Sequence, residues 1–325
     1  MHNAFYEPAG PGTFLATAAT AGPWTEHAQH GGPPSGLVAR ALEQHERDDG
    51  QRLASVAIDI LRPVPIAEVT ITTRTVRPGK RVTLIEAVMQ AAGHEVLHAR
   101  GWRIAKPSGG VPAVPAASAA AQPPLARGPQ EPPELPGLAE PPGLGEPPGP
   151  GEPPESVEQP EGQRIPAEPS SPTFPGGHMD GYMSAIEWRF LAGAGFHHLG
   201  PGRAWTRAKI PLVAGEETSA MSRALLVADS GNGVSAVLDA AQFLFVNVDL
   251  TVVLSRDPVG DWLLLDAATT IGETGTGLAE TTLSDTRGPF GTALQTLLVA
   301  PRLRPAPGAG SKRHASASTA APPRT

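Results

Sequence analysis

Residues 137–154 read Gly-Leu-Ala-Glu-Pro-Pro, Gly-Leu-Gly-Glu-Pro-Pro, Gly-Pro-Gly-Glu-Pro-Pro, a six-residue repeat with no aromatic side chain. Proline lacks a backbone N–H and fixes φ, so this stretch cannot join a helix or a sheet ladder. It also buries too little apolar surface to offset chain entropy. The wider segment 107–177 holds 21 of the 38 prolines, and no aromatic residue occurs between Trp102 and Phe174. We read 107–177 as an extended, acidic, disordered spacer rich in Pro, Gly and Glu. A role for its proline motifs as the ligand of a partner protein is the alternative. The polar tail 304–325 reads as disordered too. What remains to fold is 1–106 and 178–303, enough for one large domain or two small ones.

The two remaining segments carry the same order of elements. In the first, Gly31-Gly-Pro-Pro-Ser35 opens a helix, with Pro33 and Pro34 where the first turn tolerates them. Leu37, Val38, Ala41 and Leu42 continue it at helical spacing. Strand-like runs follow at 53–61, 66–76, 81–90 and 95–105, the last two joined by Ala92-Gly-His94. In the second, runs at 184–191 and 204–212 precede a helical stretch over 216–241, broken at Gly231-Asn-Gly233. Four further strands are expected at 243–254, 261–271, 277–283 and 291–299. A helix followed by an antiparallel meander, present twice, predicts a duplicated α+β unit. Each helix would cover one face of its own sheet, and the two sheets would lie side by side.

Composition removes whole classes of function. The net charge is −7, without the basic face a nucleic-acid binder needs. Cysteine is absent, which excludes disulfides, thiol nucleophiles and Cys-ligated metals. No apolar run approaches the roughly 18 residues of a membrane span, and the first residues lack the pattern of a signal peptide. A cytoplasmic protein is expected.

Three polar positions stand out against apolar surroundings. In 243–254 the even positions are all apolar, whereas Asn247, Asp249 and Thr251 share the other face. That face is either solvated or the wall of a site. Asp229-Ser-Gly-Asn-Gly233 interrupts the helix; either Asp229 or Ser230 caps the restart, or Asp229 is a base beside N–H groups able to polarise a carbonyl. Gln295 sits in an apolar last strand, bonded to a neighbour or orienting a water. Other signals carry less. Gly231-x-Gly233-x-x-Ala236 mimics a dinucleotide fingerprint but follows a helix rather than a strand. No Gly-x-Ser-x-Gly elbow occurs. The pairs His27/His30 and His197/His198 have no carboxylates at a metal-site spacing, so no metal is expected.

Taken together, several short stretches resemble one family. They are His30-Gly-Gly-Pro-Pro-Ser-Gly-Leu, Ile60-Leu-Arg-Pro63 and Arg77-Pro-Gly-Lys-Arg81 in the first half. In the second they are Trp205-x-Arg207, Ala228-Asp229, Asn247-Val-Asp-Leu and Gln295. In order and spacing the chain resembles the double-hotdog acyl-CoA thioesterases of the thioesterase II type. The resemblance implies an N-terminal hotdog at 1–106 and a C-terminal one at 178–303 that carries the site. It implies a fatty acyl-CoA substrate, hydrolysed by water held between Asp229, Asn247 and Gln295. Asn247 stands where the family usually has Thr. Backbone N–H groups of Gly231 and Gly233 would bind the oxyanion, without a metal or other cofactor. Gly32 aligns opposite Asp229 and Arg100 opposite Gln295, so the first half would lack its own site. Assembly into a homo-oligomer is expected. Two other readings remain. One is an enoyl-CoA hydratase or dehydratase, disfavoured because no histidine lies between His198 and His314 to pair with the aspartate. The other is a non-catalytic acyl-CoA binder.

Overall fold

The structure is a computed structural model and describes residues 2–109, 111, 164–170, 173–175, 177–191 and 195–302. The repeat at 137–154 and the tail 304–325, both read as disordered, lie outside the described residues.

The first half opens with the hairpin β1 (Tyr6–Gly10) and β2 (Thr13–Ala16), then the small pair β3 (Ala21–Gly22) and β4 (Thr25–Gln29). Helix α1 (Gly32–Gln44) starts at the Gly-Pro-Pro signal, because the two prolines fall where the N–H groups would be orphaned anyway. Its apolar residues Leu37, Val38 and Leu42 are fully buried. The meander is β5 (Gln51–Ile60), β6 (Glu68–Arg77), β7 (Val82–Ala91) and β8 (His94–Ala105). Ala92 and Gly93 turn β7 into β8 with φ of 49° and 78°. Both being positive is the requirement of the tight turn whose twist matches the flanking strands.

The second half runs α2 (Tyr182–Ala185), β9 (Ile186–Phe190), β10 (Gly202–Ala208), α3 (Ala220–Ala228) and α4 (Gly231–Val234). Then come β11 (Phe243–Asn247), β12 (Asp249–Leu254), β13 (Leu263–Ile271), β14 (Thr276–Asp285) and β15 (Gly288–Pro301).

The α+β character and the antiparallel meanders hold, but the two expected sheets are one. Among the described residues, thirteen strands form a continuous sheet in the order β1-β2-β6-β7-β8-β5-β12-β15-β14-β13-β10-β9, with β11 paired to β15. The halves join where β5 meets β12: Val56 faces Val252 and Ile58 faces Leu250, all buried. Each of these strands would otherwise be an unpaired apolar edge, which a sheet must cover or pair. Helices α1 and α3 lie against one another and share a single core with both parts of the sheet.

Two local features differ from the sequence reading. The run 243–254 is broken at Val248, and its even positions form a core face only beyond the break. Leu250, Val252 and Leu254 are buried, whereas Val246 and Val248 are about 40 % exposed. Asp249 makes the break: its carboxylate accepts from the Thr296 N–H (2.7 Å) and hydroxyl (3.0 Å), standing in for a rung of the ladder. The second difference is the end of the spacer, which packs on the core before residue 177. Ser170 donates its N–H to the Trp188 carbonyl and accepts from the Phe190 N–H. Phe174 meets Trp24 edge-on at 4.7 Å and Phe196 at 5.2 Å.

Candidate active site

Helix α3 begins at Ser219, whose hydroxyl accepts from the Ser222 N–H, and ends at Asp229. It runs antiparallel to α1 at a separation set by glycine. A Cβ on Gly32 would sit 2.1 Å from the Leu226 carbonyl oxygen, and one on Gly36 3.1 Å from that of Ser222. The Ser222 hydroxyl also donates to the Gly36 carbonyl. The start of α1 therefore abuts the end of α3. A Cβ on Gly31 would lie 2.7 Å from both Asp229 carboxylate oxygens. The positive end of the α1 dipole faces that carboxylate.

Asp229 is buried, 5 % exposed, so its charge needs donors. Asn247, the last residue of β11, donates from Nδ2 to Oδ1 at 2.6 Å. On the other side His30 Nδ1 lies 3.1 Å from Oδ2. The His30 ring is stacked on Tyr182, with centroids 3.8 Å apart and planes within 8°. The Tyr182 hydroxyl is fixed in turn by the Leu226 carbonyl (2.9 Å) and the Ser230 hydroxyl (2.8 Å). Burial holds the His30 pKa below the ordinary imidazole value, against the opposing pull of Asp229.

Gln295 is 1 % exposed and both ends of its amide go to backbone. Nε2 donates to the Asp229 carbonyl and Oε1 accepts from the Asn232 N–H, each at 3.1 Å. The side chain splints the break between α3 and α4. Gly231 is pressed against that splint: a Cβ there would be 2.3 Å from Thr281 Oγ1 and 3.1 Å from Gln295 Oε1. Gly233 instead borders a cavity of about 50 Å³. Neither Asp229 nor Ser230 caps α4 with its side chain. The cavity is walled by Trp24, His30, Phe174, Met183, Phe196 and Phe245 and reaches Ser230. An apolar pocket beside a hydrogen-bonded carboxylate suits a substrate with an apolar tail and a polar reacting group.

A larger cavity, about 370 Å³, lies at the opposite end of the helix pair and is lined by charged side chains. There Glu43, near the end of α1, accepts from the Ser219 hydroxyl, and burial pushes its pKa up. Arg103 donates to the carbonyls of Leu42, Glu43 and His45, bracing the end of α1 as Gln295 braces that of α3. Arg100, aligned with Gln295 in the first half, pairs with Glu86 on the outer face. Gly32, aligned with Asp229, packs against Leu226. Among the described residues no three His, Asp or Glu side chains converge as a metal site, and no helix is long and apolar enough to cross a membrane.

Residues 20–104 match the family model of the acyl-CoA thioesterase N-terminal domain, and residues 154–299 that of its C-terminal domain. The chain belongs to the acyl-CoA thioesterase family. The thioesterase has the fold of several solved structures. Acyl-CoA thioesterase II from Mycobacterium marinum superposes with a TM-score of 0.56 at 14 % identity, over 92 % of this chain and 97 % of that one. A tesB protein from Mycobacterium avium subs paratuberculosis gives 0.55 at 14 %, over 91 % and 96 %. A conserved hot dog fold protein of unknown function from Alicyclobacillus acidocaldarius gives 0.59 at 13 %, over 90 % and 93 %. No curated protein matches the chain. The match of the C-terminal model from residue 154 agrees with the packing of Ser170 on the second half of this thioesterase.

Of the residues singled out in the sequence, the structure brings Asp229 and Asn247 into contact and sets Gln295 on the backbone beneath them. It turns Gly233 to the cavity and Gly231 to the sheet. Sequence reasoning missed His30, Tyr182 and Phe174. His30 opens the first stretch that carries the family resemblance, but as a functional side chain it was weighed only as a metal ligand with His27. The objection to a hydratase also fails, since the first half supplies a histidine to the aspartate.

Proposed function

We propose that this thioesterase hydrolyses fatty acyl-CoA to the free acid and CoA by direct attack of water activated at Asp229. The reading rests on one observation: a buried carboxylate, steadied by Asn247 at 2.6 Å, beside an aromatic-walled cavity. That cavity, about 50 Å³, would take the first carbons of the acyl chain, with the thioester carbonyl at its mouth. Asp229 accepts a proton from water as the oxygen attacks the carbonyl carbon, a service worth roughly 10²–10⁴-fold in general-base catalysis. The tetrahedral intermediate then collapses, the C–S bond breaks, and the CoA thiolate takes the proton back from Asp229. Asn247 and Gln295 keep the carboxylate in place, and the Gly233 backbone is the cavity-facing member of the glycine pair expected at the oxyanion. No metal or redox cofactor enters this scheme; CoA arrives as substrate and leaves as product.

Thiol release from acyl-CoAs of increasing chain length tests the reading. Turnover that depends on chain length supports it, and tight acyl-CoA binding without thiol release contradicts it. The His30–Asp229 contact favours a second reading, in which the pair adds water across an enoyl-CoA double bond. Hydration of a 2-enoyl-CoA without thiol release would select that reading.

A further inference from the structure

We infer that His30, supplied by the first half, is a catalytic residue whose Nε2–H donates to the carbonyl oxygen of the bound acyl thioester. This rests on the proposed placement of the acyl group in the cavity beside Asp229. A thioester under attack by water develops negative charge on its oxygen, and each fixed donor aimed there is worth roughly 10²–10³-fold in rate. The start of α1 lies at the site, yet offers few donors. Pro33 and Pro34 have no N–H, and the Gly32 N–H is already spent on His30 Nδ1 at 3.1 Å.

That same bond fixes the ring. Nδ1 is hydrogen-bonded by the Gly32 N–H, whereas Asp229 Oδ2, also 3.1 Å away, makes no hydrogen bond with it, so the single proton of the neutral ring falls on Nε2. Stacking on Tyr182 sets the ring plane, and Tyr182 is held by the Leu226 carbonyl and the Ser230 hydroxyl. Nε2 has no hydrogen-bond partner among the described residues, yet it is not sealed from solvent, and the ring borders the cavity. Polarisation also runs in the useful direction. An N–H at the positive end of a 13-residue helix donates into Nδ1, which strengthens the ring's opposite N–H as a donor. The ring thus carries the polarity of the helix terminus to the cavity. Tyr182 is a positioning residue that acts through His30.

The test compares His30→Asn with His30→Gln. Asn can still accept from the Gly32 N–H but cannot reach the cavity, whereas Gln keeps an N–H near the place of Nε2. We expect His30→Asn to lose about 10²–10³-fold in kcat with KM little changed, and His30→Gln to retain more activity. The reverse order, with His30→Asn near wild type, would reduce His30 to a cap for α1 and overturn the inference. Two CoA ligands report on the carbonyl without turnover: a ketone in which CH₂ replaces the thioester sulfur, and an alkyl thioether with no carbonyl. His30→Asn should weaken only the ketone. Equal loss for both contradicts the assignment. Nitrogen NMR of the wild-type protein needs no variant. The His30 ring should be the Nε2–H tautomer, and its N–H signal should move with the ketone and not with the thioether. An Nδ1–H ring, or the same response to both ligands, overturns the inference. If wild-type protein releases no thiol from any acyl-CoA while ketone binding depends on His30, the hydrolytic reading fails and the donor assignment stands.

Discussion

Gly32→Ala is the most sensitive probe of how the two halves build one site. The added Cβ would sit 2.1 Å from the Leu226 carbonyl oxygen. An ordinary carbon–oxygen contact is no closer than roughly 3.3 Å, so α1 and α3 must part there by roughly 1.2 Å. The obstacle is backbone, which no change of rotamer can relieve. Overpacking of this kind costs about 1–3 kcal/mol. For a folded region of this size each kcal/mol lowers Tm by about 2–4 °C, so a fall of about 6–12 °C is expected at the upper end. Activity should suffer as well, because the same gap separates Gly31 and His30 from Asp229, and a misplacement of about 1 Å can cost about 10²-fold in rate. Gly36→Ala is the control. Its Cβ would be 3.1 Å from the Ser222 carbonyl, a few tenths of an ångström too close. Alanine also gains about 1 kcal/mol of helix propensity, so this variant should melt near wild type. Thermal melting and thiol release on the same preparations make the comparison. A Gly32→Ala protein that melts and turns over like Gly36→Ala would refute the reasoning, since the helices would then not be in contact at Gly32.

Four further outcomes are expected. Asn247→Ala leaves one oxygen of a buried carboxylate without its donor and should cost about 1.5–3 kcal/mol by denaturant melting, whereas Asn247→Thr should recover part of it. Gln295→Ala should lower both Tm and turnover, and combine with Asp229→Asn less than additively, because the amide braces the backbone that carries the carboxylate. Phe174→Ala should shift the preferred acyl chain toward greater length by opening the cavity wall, read as kcat/KM across a chain-length series. Stability should depend on His30 through its depressed pKa. The unfolded chain binds the proton more readily, so this contribution is complete above about pH 6.5 and is lost as pH falls through and below that value. His30→Gln should flatten that part of the Tm–pH curve.

What the sequence disclosed and what it hid divide along a physical line. Features set by neighbours in the chain were legible. The prolines marked the start of α1, the turn residues marked the β7–β8 hairpin, and Asp229 and Asn247 stood out as polar positions in apolar runs. Features set by the meeting of the halves were not. His30 and Asp229 are brought together by glycine-to-carbonyl packing between two helices, and Tyr182 arrives from beyond the proline-rich stretch. No periodicity reports such contacts. The break at Val248 escaped for another reason. The alternation of apolar residues runs straight through it, and only the Asp249 carboxylate on Thr296 shows that the ladder is interrupted. Gln295 was found as a residue, but its two backbone partners, which brace the break between α3 and α4, could not be read from the sequence. Joining the sheets through β5 and β12 required knowing that each was the edge of its own half.

The central claim is that Asp229 takes the proton from water, and thiol release by Asp229→Asn measured beside its melting curve addresses it most directly. Asn is nearly isosteric and its oxygen can still accept from Asn247, so the fold should persist. The basicity is gone, and turnover should fall by about 10²-fold or more while acyl-CoA binding remains. An Asp229→Asn protein that folds normally and releases thiol at the wild-type rate would contradict the account.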